Sequence, residues 1–252
     1  MPDPLPPLKA SVERLRNLVS PLPPGALTAS AYPVEWTIAD VLSHIGSGAV
    51  IFQRRLADAL ADTTMPGGFA PSVWDEWNAK APAAQAADAL AADRAALDYL
   101  ETVTPDDRAR VHVDLGPLSV DYPEYAALRL NEQALHTWDI DVALHHDATL
   151  PPDATAVVID NLSLTARYTA KPTGTTGTIV VRTSDPTRTF TIALTPDAVT
   201  TSEGDDSQPA DVELPAEAYI RLVYGRLDPD HTPSGIIGEQ HLDDLRKVFP
   251  GP

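Results

Sequence analysis

The chain has 252 residues, 43% hydrophobic and 21% charged, long and apolar enough to bury a substantial core in one large domain or two modest ones. Acidic residues number 36 against 18 basic ones, and the formal net charge of -18 sets aside nucleic acid and anionic membrane surfaces as partners, because the global field repels phosphate. There is no cysteine, which excludes disulfides, protein thiolate ligands and a cysteine nucleophile, so any thiol chemistry needs a thiol from outside.

In chain order, the segment Met1 to Pro7 is proline-rich and lacks the basic start and apolar run of a secretory signal. No stretch approaches the length of a membrane span, and a cytoplasmic location is expected by default. Leu8, Val12, Leu15 and Leu18 recur at helical spacing and predict a first helix, stopped by the prolines from Pro21 to Pro24. Thr37-Ile-Ala-Asp40 resembles a capping box with Asp in place of Glu and opens a second helix, carrying Val41, Leu42, Ile45, Ile51 and Leu56 to about residue 62. Residues 63 to 83 combine proline and glycine with Phe69, Trp74 and Trp77, and are expected to form a long, partly ordered loop. An alanine-dense third helix covers about 84–103, and a fourth, with Tyr125, Leu128, Leu135, Trp138 and Val142, runs from about Pro123 to His146. Four helices with one apolar stripe each fit a four-helix bundle over residues 1–150.

The pattern changes after Leu150-Pro151-Pro152. A helical stretch at about 153–168 precedes β-type alternation in 178–182 and 189–194, flanking the turn signal Ser184-Asp185-Pro186 and predicting a hairpin. A short strand at 211–214 and two helices, about 215–225 and 237–248, complete an α+β segment over 151–252.

Glu132 and His136 stand four apart in a strongly helical segment, so both side chains leave one face about a turn apart. His44 lies beside the apolar stripe of the second helix. Ionisable groups on inward faces cost several kcal/mol unless paired or metal-bound, which makes a shared partner attractive. The same spacing also fits an exposed ion pair, or a core histidine satisfied by a carboxylate, and spacing alone does not decide.

Two segments carry a family resemblance. Trp36-Thr-Ile-Ala-Asp-Val-Leu-Ser-His44 resembles one signature of the mycothiol-dependent maleylpyruvate isomerase family, and Tyr125-Ala-Ala-Leu-Arg-Leu-Asn-Glu132-Gln-Ala-Leu-His136-Thr-Trp-Asp139 resembles the other. The resemblance implies an N-terminal DinB-like four-helix bundle followed by a smaller α+β sterol-carrier-like domain. It implies a divalent metal, usually zinc, held by His44, Glu132 and His136, with coordination positions left open as in catalytic sites. Asp139, three residues after His136, then either orients a ligand imidazole or is a surface charge.

The resemblance further implies mycothiol, a low-molecular-weight thiol of actinobacteria, as cosubstrate. A thiol held by zinc is kept as thiolate, the nucleophilic form. S-transfer to an electrophilic metabolite and cis–trans isomerisation of a maleylpyruvate-like acid both use that sulfur, so the residues leave the two open. Arg226, at the end of an apolar helix, is the expected carboxylate-binding residue, with Arg221 close enough to compete for the role and a helix-terminal cation as the plain alternative. A non-enzymatic binding module and a metal-hydroxide hydrolase are the competing functions. His145 and His146 are expected in solvent, and His112, His231 and His241 at surface or structural positions. Trp74 and Trp77 either line an entrance or pack.

Overall fold

The stripe of Leu8, Val12 and Leu15 becomes helix α1, Leu5–Val19, in the computed structural model, which describes residues 2–33, 35–116 and 118–251. Helix α2, Ile38–Leu60, starts where the sequence places it: the Thr37 hydroxyl accepts from the Asp40 amide at 3.1 Å, and the Asp40 carboxylate accepts from the Thr37 amide at 2.8 Å. This reciprocal cap satisfies two of the donors that a helix N-terminus leaves orphaned. The Ala-rich helix α4 spans Pro82–Thr102.

The expected loop at 63–83 is only partly a loop, because it contains helix α3, Phe69–Asn78. Pro66, Gly67, Gly68 and Pro71 conceal a period of four in Phe69, Val73 and Trp77. Pro71 is tolerated in the first turn, where its missing N–H has no helical partner to lose. Val73 and Trp77 are buried, and the Trp77 indole lies against Gly46 of α2. A β-carbon at Gly46 would stand 2.2 Å from Trp77 Cζ3 and 2.9 Å from Ala89 Cα of α4, so three helices meet at a position that only glycine fits.

Between α4 and the last long helix lie α5, Pro105–Arg110, and an antiparallel pair, β1 (His112–Asp114) and β2 (Ser119–Asp121), none of them expected from the sequence. Helix α6, Tyr122–Leu144, opens on a second capping box, Asp121 with Glu124. Helix α2 packs against α3, α4 and α6, and α1 against α4 and α6. Together they form a bundle within a compact unit, Asp3–Ala148.

A second compact unit begins at Thr149 and is α+β. The helix expected at 153–168 is divided into α7, Pro152–Val158, and α8, Leu162–Thr169, by the 3-10 turn Ile159–Asn161. The hairpin is present as β3 (Gly177–Ser184) and β4 (Arg188–Leu194). Strand β5, Val199–Glu203, adds to β4; it is a largely exposed edge strand with no apolar alternation to announce it. Strand β6, Val212–Pro215, runs parallel to β3, giving the order β5-β4-β3-β6. Helix α9, Ala216–Val223, follows, and α10 is shorter than expected, Leu242–Val248, because the 3-10 turn Glu239–His241 occupies its start. Tyr219, Phe190, Ile192 and Phe249 are buried in this unit. Among the described residues, no helix is long and apolar enough to cross a membrane.

Candidate metal centre

The burial of Val41, Leu42 and Ile45 sets the rotation of α2, and that rotation carries His44 to the rim of the buried stripe, facing α6. Glu132 and His136 rise from α6 one turn apart. His44 Nε2 is 3.3 Å from Glu132 Oε2, and His136 Nε2 is 3.5 Å from the same oxygen. The three side chains each offer a ligand atom within 4.8 Å of the others, close enough to share one ion. His136 is nearly enclosed, with 13% of its side chain exposed, whereas His44 (39%) and Glu132 (50%) open toward solvent. A ligand from outside therefore has access on the His44–Glu132 side.

Asp139 is wholly buried, and its Oδ2 lies 2.8 Å from His136 Nδ1. A carboxylate accepts, so Nδ1 carries a proton; Nε2, which faces Glu132, donates to that carboxylate in the imidazolium and presents a lone pair when the ring is neutral. Two imidazoles and a carboxylate then converge on one point, each able to offer one ligand atom. A cation is what such a donor set accepts, and N/O ligands at this spacing suit zinc or a similar divalent ion. Asp139 is therefore a buried partner of His136 and not a surface charge.

The Trp36 ring encloses the site from a third direction. Its centroid is 5.4 Å from the His44 ring and 6.1 Å from the His136 ring, nearly parallel to the latter at 14°. Desolvation, partial because half the side chain is open, pushes the Glu132 carboxyl up. Hydrogen bonds and charge from His136 and His44 together outweigh it and hold the group well below the ordinary carboxylate range.

In the second unit, Arg221 is committed to the fold. Its Nε and Nη2 donate to the two Glu217 oxygens at 2.8 and 2.9 Å, and its Nη1 donates to the His231 carbonyl at 2.9 Å. Arg226 is also buried, with Nη1 donating to the Tyr224 carbonyl at 3.0 Å. His145 and His146 are largely exposed, as expected. His231 caps its own turn through Asp228 at 2.9 Å, and His241 sits at the start of α10. Trp77 packs, while the half-exposed Trp74 lines a surface groove of about 630 Å³ with Arg55, Met65 and His112. That groove shares no lining residue with the His44–Glu132–His136 cluster.

Two features of the site had no role assigned from sequence. Trp36 stood only as the first letter of a signature, although its distance of eight residues from His44 gave no hint that a loop folds it back over the rings. Arg129 lies on the His136 stripe of α6, seven residues earlier, and a buried ionic residue there was readable from spacing.

The sequence profile described as mycothiol maleylpyruvate isomerase N-terminal domain matches residues 8–141. The chain belongs to this family. The match spans nearly all of the bundle and contains His44, Glu132 and His136. A comparison with curated proteins finds no match. Among solved structures, the fold is similar to the crystal structure of the mycothiol-dependent maleylpyruvate isomerase, at 14% identity, TM-score 0.64 and 88% coverage of each chain. A point mutant of that enzyme matches equally, at 13% identity, TM-score 0.64 and the same coverage. These similarities extend beyond the bundle into the α+β unit and bear on fold.

Proposed function

We propose that this member of the family is an enzyme that uses a low-molecular-weight thiol, mycothiol, at a divalent metal, zinc by preference, held by His44, Glu132 and His136. The observation that carries the reading is the convergence of two imidazoles and a carboxylate, with Asp139 fixing the tautomer of His136. Family membership supports the choice of thiol, and the absence of cysteine agrees with sulfur supplied from outside.

A metal bound there supplies a Lewis-acidic centre that keeps a thiol ionised at neutral pH. The chain's own residues do the rest. Asp139 holds the His136 ring by its Nδ1 proton; Glu132 contributes negative charge; Trp36 walls both imidazoles and restricts water on that side. Half-exposed Glu132 and His44 leave an approach for the thiol. Arg226 is assigned to a substrate carboxylate from the family resemblance and from the bidentate fit of guanidinium to carboxylate.

The activated sulfur either stays on an electrophilic metabolite, as S-transfer, or adds to a cis double bond and leaves after rotation, as isomerisation of a maleylpyruvate-like acid. The test is turnover of maleylpyruvate and of a panel of electrophiles with and without mycothiol, as a function of pH, for the native chain and Arg226→Met. The expected result is thiol-dependent turnover that persists at neutral pH, where a free thiol with a pKa of about 8.5 is mostly protonated. Arg226→Met should raise KM or lower kcat for a carboxylate substrate without loss of metal. Turnover independent of thiol would point instead to hydrolysis by metal-bound hydroxide and would reject the thiol reading.

A further inference from the structure

Beneath the candidate metal centre the bundle core holds a polar cluster that the proposed chemistry does not use. Arg129 of α6 and Asp93 of α4 form an ion pair with side chains only 5% and 2% exposed. The same Arg129 Nη2 donates to Gln133 Oε1 at 3.1 Å, one turn on, and to the backbone carbonyl of Ile45 at 3.1 Å. Ile45 is the residue after His44. Arg129 is three residues before Glu132, and Gln133 is three before His136, so the cluster occupies the turn adjoining both α6 ligands.

Such a cluster is an odd way to fill a core. A buried ion pair is commonly matched or bettered for stability by apolar residues of similar volume. Asp93 Oδ2 and Gln133 Nε2 have no hydrogen-bond partner, so the network is not even fully satisfied. What it achieves is geometric. The carbonyl of Ile45 already belongs to the helical ladder of α2, and the guanidinium adds a donor from α6 at that one level. The approach needs space on α2, and residue 48 provides it: a β-carbon on Gly48 would lie 3.3 Å from Arg129 Nη1. Together with the 3.3 Å contact between His44 and Glu132, the bond to Ile45 ties α2 to α6 at two neighbouring points. Two ties fix both the separation of the helices and their axial register at the height of the site. A third tie lies about two turns away, where the Tyr125 hydroxyl of α6 donates to the Phe52 carbonyl of α2 at 3.0 Å, so the Ile45 bond sets the register locally, at the level of His44.

We propose that Arg129, held by Asp93 and Gln133, is a positioning residue that fixes α2 against α6 so that His44 meets Glu132 and His136 in metal-binding geometry. The proposal rests on the metal reading above. It assigns to Arg129 no contact with metal or substrate; the residue acts through the Ile45 carbonyl.

The test replaces the whole cluster at once, Asp93→Leu, Arg129→Met and Gln133→Leu, so that no orphaned charge or amide is left to unfold the chain. Circular dichroism and cooperative thermal unfolding establish that the triple variant folds. Two measurements follow. In the metal-free proteins, imidazole nitrogen and proton shifts of His44 and His136 are compared by nuclear magnetic resonance. In protein titrated with cobalt(II), the dissociation constant and the visible d–d spectrum are recorded. The expected outcome is a folded variant in which the His44 signals move or broaden, the cobalt spectrum changes, and cobalt binding weakens about tenfold or more, as for residues that orient metal ligands. A folded triple variant with native imidazole shifts, native spectrum and affinity within twofold of the parent would overturn the proposal. If the triple variant does not fold, Gly48→Leu, which crowds the guanidinium from the α2 side, is read by the same two measurements and the same criteria. Native chain that binds no cobalt at all defeats the metal reading, and the proposal with it; native binding with an indifferent variant defeats the proposal alone.

Discussion

Removing the charge on Asp139 while keeping its shape isolates how much a buried carboxylate contributes to the candidate metal centre. In Asp139→Asn the side chain keeps its volume, and its amide oxygen still accepts from His136 Nδ1, so the bundle should stay folded. The loss is the charge, on a group with no solvent exposure and a 2.8 Å contact to the imidazole. A hydrogen bond to an ionised acceptor contributes about 1.5–3 kcal/mol, a neutral one about 0.5–1.5 kcal/mol. The difference, about 1–1.5 kcal/mol, is close to a tenfold change in an equilibrium constant. Measured effects of partners that orient metal ligands fall at about 10–100-fold, and that figure meets the lower end of the range. The assay is competition for zinc against a chromophoric chelator, with Asp147→Asn, an exposed change outside the site, as control. Asp139→Asn should weaken zinc binding about tenfold or more, and the control should not. Affinity within twofold of native in a folded Asp139→Asn protein would refute the role assigned to the carboxylate.

Gly46→Ala places a methyl group 2.2 Å from Trp77 Cζ3 and 2.9 Å from the Ala89 backbone, so chemical denaturation should show a loss of about 1–3 kcal/mol, with an unchanged or raised midpoint as the contrary result. Burial pushes the Tyr125 and Tyr219 phenols well above their ordinary range, so the native state keeps protons that the unfolded chain releases above about pH 10. The unfolded state then binds fewer protons, and stability falls as pH rises past that point, with none of this effect below it. Phenolate absorbance should show at least two of the seven tyrosines ionising only as the chain unfolds, whereas smooth titration of all seven in folded protein would contradict this.

Much of the bundle could be read from the residues because local chemistry and tertiary packing agree there. Thr37 and Asp40 cap α2 in the manner their side chains allow, and the Glu132–His136 spacing puts two donors on one face whatever packs against them. What could not be read depends on distant partners. Helix α3 hides among glycines and prolines, and it becomes visible as a helix only when Trp77 is seen against Gly46. Strand β5 has no apolar alternation because, at the sheet edge, little of it is buried, and β4 supplies its reason to be extended. The stretch 153–168 has an unbroken apolar pattern, yet a 3-10 turn interrupts it. At the site, spacing alone favoured an ordinary ion pair or a core histidine satisfied by a carboxylate over a metal centre. The structure adds the convergence of His44 on the other two and the buried Asp139, whose contact turns His136 Nε2 toward Glu132. The bidentate pair of Arg221 with Glu217, one turn earlier on α9, is likewise a packing arrangement the sequence pattern did not announce.

The central claim is that His44, Glu132 and His136 bind one metal ion together. X-ray absorption spectroscopy of zinc-loaded native protein and of His136→Ala addresses it most directly. The native spectrum should fit two imidazole nitrogens and one carboxylate oxygen at about 2.0–2.2 Å, with remaining scattering from exogenous ligands. His136→Ala should stay folded, since a metal with three protein ligands seldom carries a fold of this size, and should lose stoichiometric zinc. Zinc retained by His136→Ala at native affinity, or a native spectrum without imidazole scattering, would contradict the claim.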